Sequence, residues 1–105
     1  MIRIMLACAG GFSTSLLMNK MLDEAIKQGV EVTVNAIGEK TIEEHLGEFD
    51  VLLLGPQVRY MLASTRKLIN GTCPCDVIDM RDYGTMNGAK VLNTALNMYE
   101  EFNKY

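Results

Sequence analysis

Cys8 stands between a short apolar run, Ile2 to Ala7, and the segment Ala9-Gly10-Gly11-Phe12-Ser13-Thr14-Ser15, where two glycines precede a cluster of hydroxyls. A thiol between a buried strand, a tight turn and a helix start is placed for nucleophilic chemistry. The unpaired N–H groups of a first helical turn, together with the helix dipole, attract an anion. The same field predicts a lowered pKa for the Cys8 thiol. Gly10 and Gly11 lack a Cβ, so the loop can turn its amides inward around a tetrahedral group. A thiolate and a free phosphate would repel each other in that nest, whereas a phosphoryl group held on sulfur fits it. The residues therefore predict phosphoryl transfer through a cysteine. Cys8 is the nucleophile, and Ala9, Gly10, Gly11, Phe12, Ser13, Thr14 and Ser15 form the phosphate-binding loop. The competing reading is a small buried apolar residue, as free cysteines commonly are; the Gly-Gly-x-Ser-Thr-Ser context favours chemistry.

The rest of the chain supplies elements that hold such a loop. After the opening strand, a helix capped by Ser13 or Thr14 is expected to about Gln28, with Leu17, Met18, Met21, Leu22, Ala25 and Ile26 on its apolar face and Gly29 as its stop. Val30 to Ile37 alternates and predicts a second strand. Gly38-Glu39-Lys40 is a loop, followed by a short helix capped by Thr41 with Glu44, its inner face Ile42, Leu46 and Phe49. Val51 to Leu54 is uniformly apolar, as a central parallel strand is, and stops at Gly55-Pro56-Gln57. Val58, Met61, Leu62, Thr65, Leu68 and Ile69 mark a helix ended by Gly71. A fourth strand is expected over Cys75 to Asp79, a loop over Met80 to Gly84, and a last helix from about Asn87 to Asn103, with Val91, Leu92, Ala95, Leu96, Tyr99 and Phe102 inward.

Alternating strands and helices predict one α/β domain over residues 1–105: a four-stranded parallel sheet in the order 2-1-3-4, with helices on both faces. Ligands of such sheets bind at the carboxyl ends of the strands where the order reverses, here between strands 1 and 3. The Cys8 loop is thereby placed beside Gly55 to Tyr60, with Met80 to Tyr83 on the same edge and farther out.

Composition narrows the partners. The 105 residues carry a net charge of −3, which argues against a nucleic-acid partner. No apolar run approaches the ~20 residues of a membrane span, and the apolar stretch up to Cys8 is too short for a signal peptide, so a cytoplasmic location is expected. The three cysteines are expected to be reduced thiols.

Other candidate centres are weaker. A phosphatase or arsenate reductase built on a cysteine loop places an arginine where this chain has Thr14, although Ser15 matches the serine that follows. Asp82-Tyr83 would be the candidate for its general acid. Cys73-Pro74-Cys75 offers two soft ligands with no histidine nearby in sequence, too few for a metal, so structural thiols are expected there. The single histidine, His45, follows Glu43 and Glu44 with no anion cradle.

The loop Cys8-Ala9-Gly10-Gly11-Phe12-Ser13-Thr14-Ser15-Leu16-Leu17 and the stretch Leu53-Leu54-Gly55-Pro56-Gln57-Val58-Arg59-Tyr60-Met61-Leu62 resemble the IIB component of bacterial sugar phosphotransferase systems, in the lactose/cellobiose (chitobiose) family. The resemblance extends over essentially the whole chain. The family's Cys-x-x-Gly-x-Ser-Thr-Ser pattern is met at positions 8, 11, 13, 14 and 15; Ala9, Gly10 and Phe12 stand where serine, alanine and methionine are commoner, and Cys73-Pro74-Cys75 lies outside the pattern. The resemblance implies a phosphocysteine carrier. Cys8 would accept a phosphoryl group from a phosphohistidine IIA protein and deliver it to a cellobiose-, chitobiose- or lactose-type sugar imported by a membrane IIC component, at whose cytoplasmic side the domain works. No metal or organic cofactor is implied. Phe12, Val58 and Tyr60 are expected to form an apolar collar that meets the IIA protein. The alternative retained is a low-molecular-weight phosphatase or arsenate-reductase-like enzyme using the same loop; a regulatory module that binds phosphate without a covalent bond is a further one.

Overall fold

Strand β1 runs over Ile2–Cys8, and the computed structural model places it second of four parallel strands; residues 1–9 and 14–104 are described. β2 (Val32–Gly38) lies on one side of it and β3 (Val51–Leu54) on the other, with β4 (Cys75–Val77) beyond β3. The order 2-1-3-4 expected from the alternation of elements is the observed one. Register brings Cys8 opposite Gly38, and Ala7 opposite Leu54. The carboxyl edge therefore gathers Cys8, the Gly38-Glu39 turn and Gly55, whose amide donates to the Ala7 carbonyl at 2.8 Å.

The two faces of the sheet bury separate cores, as the period of two along a strand requires. Ile4, Leu6 and Cys8 point to one face with Val34, Val51, Leu53 and Ile78; α1 (Thr14–Gln28) and α4 (Gly88–Phe102) cover it. Met5, Ala7, Leu52, Leu54 and Cys75 point to the other, beneath Ile42, Phe49, Val58 and Ile69. β3 is buried along its whole length on both faces, which is why its sequence is continuous Val-Leu-Leu-Leu. Where β1 and β3 begin, Arg3 clamps Asp50, its Nε and Nη2 donating to the carboxylate at 3.2 and 3.0 Å while its backbone amide donates at 2.8 Å.

α1 stops as its sequence predicts. Gly29 takes φ +68°, its amide donates to Ile26 and that of Val30 to Ala25 at 3.0 Å, closing the helix end. Ile26 is 77% exposed, so the buried stripe is the narrower set Thr14, Leu17, Met21 and Ala25. The close packing of α1 on α4 is set by Gly88, where a Cβ would lie 2.6 Å from the Lys20 carbonyl carbon and 2.7 Å from the Met21 amide nitrogen.

Several connections differ from the sequence expectation. Glu39–His45 is a 3₁₀ segment rather than a helix capped at Thr41; Thr41 sits inside it and its hydroxyl donates back to the Gly38 carbonyl at 2.9 Å. Leu46 is exposed, leaving Ile42 and Phe49 as the anchors. Pro56–Met61 is also 3₁₀, broken at Val58 (φ −116°, ψ 24°), before α2 (Leu62–Ile69), which ends at left-handed Asn70 and Gly71. Leu68 and, at the end of α4, Phe102 are exposed rather than inward. The expected loop Met80–Gly84 is a short helix, α3, because Asp79 accepts from the amides of Arg81 and Asp82 at 2.8 and 3.2 Å. Among the described residues, no helix is long and apolar enough to cross a membrane.

Candidate active site

Cys8 is the last residue of β1 and its side chain is 1% exposed. Its sulfur faces three groups brought from distant parts of the chain. Tyr83 of α3 donates its hydroxyl to the sulfur, and the Gly55 amide points at it from the end of β3. Glu39, next to the Gly38 that pairs with Cys8, adds a negative charge. Burial is the largest influence and pushes the thiol up from its ordinary value; the Tyr83 and Gly55 hydrogen bonds pull it down, and Glu39 pushes it up again. The lowered pKa expected from a helix N-terminus is thus corrected: enclosure outweighs the donors, and the resting group is a thiol.

Gly55 makes the enclosure possible. A Cβ there would lie 2.9 Å from the Cys8 sulfur and 2.8 Å from Gln57 Oε1, so only glycine lets the sulfur sit against the chain at this crossing. Its φ of −62° and ψ of 152° are ordinary for any residue before proline; space, rather than backbone conformation, demands the glycine.

Of the predicted loop, Ala9 is an exposed turn residue, Thr14 is the buried first residue of α1 and Ser15 is exposed on it. Gly10, Gly11, Phe12 and Ser13 lie outside the described residues. α1 begins six positions after Cys8, so its N-terminus opens on the same edge. Of the predicted collar, Tyr60 is 76% exposed, whereas Val58 is 2% exposed and packs with Leu54 and Ile69. Val58 offers no surface to a partner because the break in the 3₁₀ segment turns it inward and Tyr60 outward.

A cleft of about 810 Å³ is lined by Gln57, Arg59, Tyr60, Met80 and Tyr83. Tyr83 belongs to both places: it is buried with Cys8 in one cluster and forms part of the cleft wall. The sequence reading placed Tyr83 on this edge but farther out. The cap at Asp79 and the single turn of α3 bring it back over β1.

The remaining candidates do not join the site. Cys75 packs on the opposite face of the sheet, opposite Leu52 rather than near the carboxyl edge, and burial pushes its thiol up to about 12. Cys73, half-buried beside it, is also raised by burial, and both are free thiols. His45 is bonded to Glu48 at 3.1 Å and is not among the groups that act on the sulfur of Cys8. Among the described residues, no group of three or more metal-ligating side chains stands together.

The structure is a parallel α/β domain with an enclosed cysteine at the point where the strand order reverses, which is where ligands of such sheets bind. The chain belongs to the lactose/cellobiose-specific IIB family of the phosphotransferase system, whose description, "PTS system, Lactose/Cellobiose specific IIB subunit", matches residues 3–94, and it is a phosphotransferase. It is 44% identical over 101 residues to the PTS system galactose-specific EIIB component of Lactococcus lactis subsp. cremoris, covering 90% of this chain and 94% of that one. Identity and coverage are the same with the cellobiose-specific EIIB component of Lactococcus lactis subsp. lactis. The solution structure of the cellobiose-specific phosphotransferase IIB component from Borrelia burgdorferi superposes with a TM-score of 0.78 at 36% identity, over 95% of this chain and 93% of that one.

Proposed function

We propose that residues 1–105 act as one IIB domain that carries a phosphoryl group on the sulfur of Cys8. The observation that carries this reading is the placement of that sulfur, enclosed by Gly55 and Tyr83 at the end of β1, directly before the glycine- and hydroxyl-rich approach to α1. In loading, the sulfur attacks the phosphorus of a phosphohistidine on a IIA protein. The S–P bond forms, the N–P bond breaks with its electron pair going to the imidazole, and the thiol proton ends on that imidazole. In unloading, a sugar hydroxyl oxygen attacks phosphorus, the S–P pair returns to sulfur, and the hydroxyl proton is recovered as the Cys8 thiol. Both steps pass through a loose, in-line transition state, so positioning and charge stabilisation do most of the work. The amides from Gly10 to Ser15 and the hydroxyls of Ser13, Thr14 and Ser15 hold the phosphoryl oxygens.

The sugar is of the β-linked disaccharide or galactoside type, reached through a membrane IIC transporter at whose cytoplasmic side the domain docks. Phe12 and the exposed Tyr60 meet the IIA protein, with Val58 now excluded from that surface. The test is incubation with phosphoenolpyruvate, the general phosphotransferase proteins and candidate IIA proteins, followed by peptide mass mapping. One phosphoryl group is expected on the Cys8 peptide and none in Cys8→Ser, whose hydroxyl is a poor nucleophile near neutral pH. Labelling of His45, or persistent labelling of the serine variant, overturns the assignment.

A further inference from the structure

Tyr83 is held more firmly than a wall residue of an open cleft needs to be. Its side chain is 7% exposed and shares the apolar cluster of Ile4, Leu6 and Cys8. Its amide donates to the Asp79 carbonyl at 2.9 Å, and its carbonyl accepts from Met86 at 3.1 Å. The helix on which it sits is fixed at both ends. Asp79 caps the start, and the carbonyl of buried Asp82 accepts from Asn87 at 2.8 Å, while the Asp82 carboxylate pairs with Lys90 of α4 at 3.7 Å. This scaffold delivers a phenol hydroxyl to the sulfur in a space where water has almost no access. A buried thiolate without a donor is costly, and a hydrogen bond to a charged group recovers more than one to a neutral group. The Gly55 amide already donates to Ala7, so its help to the sulfur is shared.

We propose that Tyr83 is the side chain that sets the reactivity of Cys8, its hydroxyl donating to the sulfur whenever negative charge collects there and its ring holding the sulfur on the line of transfer. The inference rests on the carrier reading above. Charge collects on sulfur twice: when the thiol gives up its proton to attack the donor phosphorus, and when the S–P bond breaks and the electron pair returns to sulfur. In both steps Tyr83 keeps its own proton and contributes a hydrogen bond only. Of the other groups facing Cys8, the Glu39 carboxylate opposes the thiolate, and the Gly55 amide assists it.

Tyr83→Phe removes the hydroxyl and keeps the ring that fills the core. Alkylation of the full chain with iodoacetamide across pH 6 to 11, with each cysteine read by peptide mass, follows Cys8 separately from Cys73 and Cys75. The Cys8 midpoint is expected to move up by about one to two pH units in Tyr83→Phe, the span of a hydrogen bond to a charged group. Glu39→Gln is expected to move it down. Transfer from phosphorylated Cys8 to the sugar, assayed with IIC-containing vesicles, should slow by about ten- to a hundredfold. A Tyr83→Phe chain with an unchanged melting temperature, an unchanged Cys8 midpoint and an unchanged transfer rate overturns the inference. The alkylation profile needs no partner protein, so it decides the hydrogen bond by itself. A wild-type chain that never loads would instead overturn the carrier reading.

Discussion

Gly55→Ala tests how tightly the sulfur is placed. The new Cβ would stand 2.9 Å from the Cys8 sulfur, 3.4 Å from the Cys8 Cβ and 2.8 Å from Gln57 Oε1. Apolar atoms settle at about 3.5–4.0 Å, so the sulfur contact is about 0.6 Å or more too close. Gln57 is exposed and can swing away at little cost; Cys8 is enclosed and cannot. The backbone angles of Gly55 suit alanine, so the expected cost is overpacking alone, roughly 2 kcal/mol. For a domain of this size that lowers the melting temperature by about 10 °C. The sulfur must shift by a good part of the overlap, and displacements of about 1 Å cost about a hundredfold in rate, so loading of Cys8 should fall by about tenfold. Scanning calorimetry and a time course of phosphoryl incorporation by mass read the two effects. Gly55→Ala/Gln57→Ala should be as slow as Gly55→Ala, because the amide side chain is not what obstructs. A Gly55→Ala chain that melts and loads like the wild type would refute the steric account of this crossing.

Gly88→Ala probes the other close approach. Its Cβ would meet the Lys20 Cβ at 2.5 Å as well as the α1 backbone, so α1 and α4 must separate; a loss of about 2–3 kcal/mol is expected in urea titrations, with loading of Cys8 intact at temperatures where the chain is folded, and an unchanged urea midpoint would refute it. The Arg3–Asp50 clamp should show in acid. The Arg3 hydrogen bonds hold the Asp50 carboxyl below its ordinary value against a smaller opposing effect of burial, so its contribution is complete above the unfolded value of about 3.9 and is lost as pH falls through the lower native value. Asp50→Asn should therefore be less stable than wild type at pH 7 and lose less on going to pH 3; parallel losses in the two chains would count against the clamp.

The sheet was readable because each strand carries its environment in its own residues. Val51 to Leu54 has no polar position to expose, and β1 ends in Cys8 where the apolar run gives way to Ala9-Gly10-Gly11. The family pattern likewise lay in contiguous residues. What escaped depends on residues that meet only after folding. Five residues, Met80 to Gly84, are too few to display a helical period, and the one local signal was Asp79 placed ahead of them as a cap. Thr41-x-x-Glu44 satisfied the capping pattern, yet the turn begins at Glu39 and Thr41 bonds backward to Gly38 instead. Ile26 and Val58 were misplaced for opposite reasons: a helix face drawn one residue too wide, and a 3₁₀ break that turns an apparent surface valine inward. The Cys8 pKa was misjudged because a local motif announces donors but not enclosure, which here is supplied by Gly55 and Tyr83, 47 and 75 residues further along the chain.

That enclosure is what separates a carrier from a hydrolase under the reading proposed here. An exposed low-pKa thiolate would react with any small electrophile and, once phosphorylated, would stand open to water. A buried thiol is held in its neutral form, and it becomes a nucleophile only when a docked donor removes the remaining solvent and accepts the proton. Hydrolysis of the loaded form would further require strong stabilisation of the developing charge, which related cysteine loops obtain from an arginine fork. This chain has Thr14 at that place, which offers a neutral hydroxyl in place of a guanidinium. The charge needed to complete transfer must then arrive with the acceptor complex. In the proposed carrier the loaded sulfur waits for its partner, and the direction of transfer follows from which partner occupies the edge where Cys8, Gly55 and Tyr83 meet.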